Sequence, residues 1–124
     1  MGRFLIVFGA GGLGSGVRYL IGVWSNESPG DFPRGTLIVN VVGSFLIALV
    51  LEVAIRKAWS AEVSLALATG FLGGFTTYSA FNYQTTSLAL DHDAIGKAVL
   101  NIAVTLVACL AAGLAGLWLA RRIT

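Results

Sequence analysis

Charged side chains are scarce in this chain. Lys, Arg, Asp and Glu together make up 11% of it, against about 25% in soluble globular domains, so an ordinary solvated surface is excluded. The eight Lys and Arg exceed the six Asp and Glu by only two, too few and too scattered for a nucleic-acid footprint. The single cysteine, Cys109, forms neither an intrachain disulfide nor a cysteine-based metal site. The single histidine lies in Asp91-His92-Asp93, a weak metal motif between apolar stretches, where Asp93 serves more simply as the cap of the next helix. Both prolines, Pro29 and Pro33, fall in one polar segment. No glycine run is followed by the Lys-Ser/Thr of a P-loop, so nothing points to ATP as an energy source.

What remains is apolar. Hydrophobic residues form 56% of the 124 positions, and the mean hydropathy is +0.84. Four stretches are long enough to cross ~30 Å of hydrocarbon at 1.5 Å per residue, with boundaries near residues 3–24, 36–55, 62–90 and 95–119. The expectation is a single all-α transmembrane domain over 1–124, with both termini on one side. A cleaved signal peptide is the competing reading of the first stretch, but its hydrophobic pattern resumes at Val17 and runs to Trp24. Trp24, Trp59 and Trp118 all fall at predicted span ends, where indoles prefer the headgroup layer. Arg3, Arg56, Lys57, Arg121 and Arg122 lie on the side of the termini, and Arg34 and Lys97 on the other. The positive-inside rule therefore favours cytoplasmic termini.

The first span contains Gly9-Ala10-Gly11-Gly12-Leu13-Gly14, which satisfies the G-x-G-x-x-G dinucleotide pattern. That pattern works only between a strand and a helix of a βαβ unit, and no second strand follows. As a membrane helix, the segment places Gly9, Gly12 and Gly16 on one face suited to close helix packing.

Several polar residues require an explanation at membrane depth. Arg18 lies inside the first span, where an arginine costs about 2.5–3.5 kcal/mol on insertion scales. It either snorkels to the interface or acts as a buried cation that pins helices or attracts an anion. Asn40, early in the second span, needs a protein partner or a wet path for its amide, and interhelical bonding is one solution. Gly43 and Ser44 lie close to the same face. Glu52 and Glu62 sit near span ends, facing headgroups. In the fourth span, Asn101, Thr105, Ala108, Ala112 and Gly116 form one stripe at helical spacing, a packing face.

The third span is the most unusual. Thr69 to Ser87 contains three glycines, five threonines, two serines, an asparagine and a glutamine. Gly73-Gly74 followed by Thr76-Thr77 marks a break in the helix, and non-helical backbone is tolerated in a bilayer only where it is buried or lines a cavity. A break frees carbonyls for a cation and N–H groups for an anion. Beyond it, Tyr78 and Phe81 share one helical face, and the edges of their rings carry positive potential.

Together, G-x-x-x-R in the first span, GTLIVN at Gly35 to Asn40 and GFLGGFTTYSAF at Gly70 to Phe81 resemble the Fluc fluoride channel family, also called CrcB. The resemblance covers nearly the whole chain. It implies four transmembrane helices with a break in the third, assembled in the lipid bilayer of the cell membrane as an antiparallel, inverted homodimer with two fluoride pathways. It also implies a structural sodium ion at the dimer interface, held by backbone carbonyls of Gly73 and Thr76 from both subunits. Asn40 would donate its amide to fluoride, Tyr78 and Phe81 would line the pathway with ring edges, and Ser79 lies between them. Arg18 matches the family's first-helix arginine and takes a structural, electrostatic role.

The implied function is passive, fluoride-selective export that lowers cytoplasmic fluoride, with no enzymatic activity. Fluoride is small and tightly hydrated, so a pathway must replace its water with good donors. The sequence departs from the family pattern at Tyr78, which replaces a phenylalanine, and at Ala80, Gln84, Cys109 and Gly113. The charge bias between the two sides leaves open a heterodimer with an oppositely biased second subunit. Two other functions fit the length and span number: a small dual-topology multidrug or cation exporter, and a non-transporting membrane scaffold. The exporter depends on a membrane-embedded acidic switch, whereas the mid-membrane polar groups here are neutral.

Overall fold

The computed structural model describes residues 1–124, and all of its regular structure is helical. Helix α1 spans Gly2–Ser25, α2 Arg34–Arg56 and α6 Ile95–Ile123, and these three are long and apolar enough to cross a membrane. Between α2 and α6 the chain is interrupted. A short α3, Ala61–Ser64, runs into a π-helical stretch, Leu65–Leu72, then α4, Gly73–Phe75. After two extended residues, α5 covers Tyr78–Leu90. These helices overlap the apolar stretches read from hydropathy, and the interruption falls inside 62–90.

Local chemistry sets the helix ends. Asn26 closes α1 in the left-handed conformation, which asparagine tolerates better than most residues. Pro33 precedes α2, and the Glu27 carboxylate in the linker accepts the Gly35 N–H at 2.6 Å, satisfying a donor that the helix leaves unpaired. Ser60 and Thr77 cap α3 and α5 through their hydroxyls. Asp93 does not cap α6 as expected: it sits at φ 47°, and Ala94 occupies the cap position with no side-chain bond.

Helix α1 packs against the π stretch and α4, α2 packs against α6, and α5 lies on α6. The glycines that allow α1 to close on its neighbour differ from those expected. A methyl at Gly14 would collide with the Phe71 carbonyl, and one at Gly74 with the Gly11 carbonyl, whereas Gly9, Gly12 and Gly16 meet nothing within 4 Å. The reason is helical phase: Gly11 and Gly14 point at residues 70–75, leaving the other three on the open side of α1. The core joins Val39, Leu72 and Phe75, flanked by Ile21, Leu46, Ile47, Val50 and Phe71.

Ion pairs mark one end of the bundle and a lysine hydrogen bond the other. Arg3 pairs with Glu62 at 3.2 Å, while Glu52 bridges Arg56 at 2.8 Å and Arg121 at 3.1 Å. Both termini and the 57–60 turn therefore share one end. At the other end, Lys97 donates to the Gly30 carbonyl at 2.8 Å, tying the linker to the start of α6. Gly30 adopts φ 86° against the His92 ring, a conformation that glycine takes without strain.

Candidate functional site

The break falls at Thr76 and Thr77, whose ψ angles of 157° and 115° are extended. Gly73 and Gly74 remain helical, so the interruption lies just beyond the glycine pair. The helix stops at the threonines, where side chains from other helices take up the Thr77 N–H and the Gly74 carbonyl. Thr77 N–H, the ordinary helical donor to Gly73, instead donates to Asn40 Oδ1 at 2.8 Å. Asn40 Nδ2 donates to the Thr77 carbonyl at 2.9 Å. This reciprocal pair fixes the orientation of the amide, because the reverse would set donor against donor. One N–H of Asn40 remains for another acceptor.

The Gly74 carbonyl, freed in the same way, accepts from Arg18 Nε at 3.1 Å and from Ser15 Oγ at 3.3 Å. Arg18 is thus more than a snorkelling side chain, since its guanidinium closes the end of the first half-helix. A cation is stabilised there by the negative end of the helix dipole. Arg18 also lines a cavity of about 560 Å³ with Ser15, Tyr19, Thr36 and Thr77. Ser15 escaped the sequence reading; its only signal was its position one turn before Arg18.

On the other side of the break lies a second cavity of about 430 Å³. It brings together Asn40, Tyr78 and Phe81 with Thr76, Thr105 and Cys109. The Tyr78 and Phe81 rings lie 5.7 Å apart and tilted by 48°. Gly43 permits this arrangement, since a methyl there would strike Thr76 Cγ2. The start of α5 also faces this region, and a helix N-terminus is the positive end of its dipole. Amide N–H, ring edges and helix N-terminus all favour a small anion.

Ser79 is not brought to this cavity. It is exposed, with its hydroxyl 3.2 Å from Thr77 Oγ1. Gly73 is also exposed, on the open side of the break, and Tyr78 is 78% exposed, partly lining the cavity and partly facing away from it. Glu52 and Glu62 are engaged by arginines at the terminal end and stand apart from the break. The α6 stripe faces inward, with Asn101, Thr105 and Gly116 buried. Asn101 donates to Thr85 Oγ1 at 2.8 Å, a partner that helical spacing on one element could not reveal.

Long apolar helices, an interrupted helix with opposed half-helix ends, and a cavity with donors at the break define a multi-pass membrane protein of the ion-conducting class. Comparison with known proteins agrees. The family model described as CrcB-like protein, Camphor Resistance (CrcB), matches residues 5–117. The fluoride-specific ion channel FluC of Anaeromyxobacter dehalogenans is 45% identical over 123 residues, covering 98% of this chain and 97% of that protein. The protein of the same name in Agrobacterium fabrum is 47% identical over 120 residues, 95% of each chain. The one in Thermus thermophilus is 48% identical over 99 residues, 79% of this chain and 77% of its own. The chain belongs to the CrcB family.

Proposed function

We propose that the protein is a fluoride-selective passive channel of the cell membrane that lowers cytoplasmic fluoride. The observation that carries this reading is the clustering of Asn40, Tyr78 and Phe81 around one cavity at the break, in a chain whose relatives are named fluoride-specific ion channels. Fluoride entering beside Asn40 exchanges water for the spare amide N–H and then for the ring edges of Phe81 and Tyr78. Ser79 joins the pathway only through its contact with Thr77. The membrane potential supplies about 2.3 kcal/mol per charge per 100 mV for an anion leaving a negative interior, so export needs no coupled energy source.

The functional unit in this reading is an antiparallel homodimer of four-helix subunits. Support comes from what one chain leaves uncovered: Gly73, Ser79 and most of Tyr78 are exposed, and polar backbone facing lipid is costly. A second copy would cover them. The Gly73 carbonyl has lost its helical donor to Asn40, and the Thr76 carbonyl lies in extended backbone. Such uncharged, hard oxygens suit a sodium ion. Gly73 and Thr76 of two copies would hold it, and its charge would fix the paired breaks against each other.

Fluoride-electrode recording of purified protein in liposomes tests the function. Efflux well above that of empty liposomes is expected, and efflux equal to empty liposomes rejects the channel. The antiparallel arrangement is tested by labelling single cysteines at Lys57→Cys and Lys97→Cys, with Cys109 replaced by serine. Each should label from both sides of the membrane; labelling from one side only supports a heterodimer with an oppositely oriented subunit.

A further inference from the structure

We propose that Asn101 and Thr85 are positioning residues that fix the Phe81 segment of α5 and determine how Thr105 faces the cavity. This rests on the channel reading for its functional consequence, but its geometry stands on its own. Asn101 is 1% exposed, and both ends of its amide are used. Thr105 Oγ1 donates to Asn101 Oδ1 at 3.3 Å, Asn101 Nδ2 donates to Thr85 Oγ1 at 2.8 Å, and Thr85 Oγ1 donates to the Phe81 carbonyl at 2.7 Å.

The direction of this chain is forced. Thr85 has one hydroxyl proton, and it goes to Phe81, so Thr85 accepts from the asparagine. Hydrogen bonds aligned in one direction polarise one another in a low-dielectric interior. The chain begins on α6 at a residue lining the 430 Å³ cavity and ends on the backbone of another, Phe81. Two walls of the cavity are therefore held in one rotational register.

A second consequence concerns the ligand. The Thr105 proton is directed at Asn101, so in this arrangement it is not offered to an anion in the cavity. An anion there finds its donors on the Asn40 side, and Asn101 helps to set that polarity. Apolar substitution of Asn101 frees the Thr105 proton and removes the link to α5.

The test combines spectroscopy and flux. 4-Fluorophenylalanine is placed at position 81, and its 19F resonance is recorded in the purified parent protein and in Thr85→Val, Thr85→Ser and Asn101→Leu. Parent and Thr85→Ser should give one matching line, while Thr85→Val and Asn101→Leu give a shifted or split line. The same line in all four overturns the proposal, whatever the flux. With unlabelled proteins in liposomes, fluoride efflux should fall roughly tenfold in Thr85→Val, the effect of about one buried hydrogen bond, and recover in Thr85→Ser. Normal efflux in Thr85→Val, with its elution volume on gel filtration unchanged, also overturns it. If the parent itself conducts no fluoride, the channel reading fails, and the 19F spectra still decide the positioning role.

Discussion

Asn40→Ala separates this account from one in which the second-span asparagine merely glues helices together. The substitution removes the acceptor of the Thr77 N–H and the donor to the Thr77 carbonyl, bonds of 2.8 and 2.9 Å. It also removes the N–H assigned to fluoride. A buried polar group left without a partner costs about 1–3 kcal/mol, which sets an upper range of roughly 2–6 kcal/mol for the two Thr77 groups. Hydrogen bonds between membrane helices average nearer 0.6 kcal/mol, giving a lower value of about 1.2 kcal/mol for the pair. Thermal unfolding in detergent measures this loss. Flux carries a separate penalty, because losing one donor to the ion at about 1–3 kcal/mol slows efflux roughly 5- to 150-fold. The liposome electrode assay reads that factor at matched protein content. Parental efflux in Asn40→Ala, together with an unchanged melting temperature, would refute both the clamp and the donor role.

Other substitutions probe the remaining parts of the site. Gly14→Ala drives a methyl against the Phe71 carbonyl and 2.9 Å from Phe75 N, both backbone atoms that cannot rotate away. It should destabilise the fold by about 1–3 kcal/mol or more, seen as a lower melting temperature, while Gly12→Ala, with open space around it, should melt close to the parent. Phe81→Ala should lower fluoride efflux at least several-fold, whereas Tyr78→Phe, which keeps the ring edge, should stay near the parental rate. Replacing sodium by N-methylglucamine during purification should weaken the dimer on gel filtration, and identical elution in the two buffers would argue against the interfacial sodium ion.

Much of the fold was legible in the sequence because the bilayer imposes length and polarity on every segment. Three long apolar helices and the existence of a break could be read from hydropathy and composition. The exact end of the broken helix could not, because it depends on Asn40 from another element reaching Thr77. The glycines of α1 show the same limit: periodicity identifies faces, but the neighbour decides which face is used, and residues 70–75 meet Gly11 and Gly14. Arg18 was conspicuous as a charge, yet its acceptor, the Gly74 carbonyl, exists only because the helix stops there. Asn101 and Thr85 lie on different helices, and their hydrogen bond is a product of tertiary packing. The motifs GTLIVN and GFLGGFTTYSAF pointed to the family, and their residues Asn40, Tyr78 and Phe81 meet at one cavity, together with Thr76.

The central claim, selective passage of fluoride, is tested most directly by reversal potential. In a planar bilayer containing the purified protein, with fluoride on one side and an equal concentration of chloride on the other, the account predicts a large reversal potential set by fluoride. A reversal potential at zero, meaning equal permeability to the two anions, would contradict it.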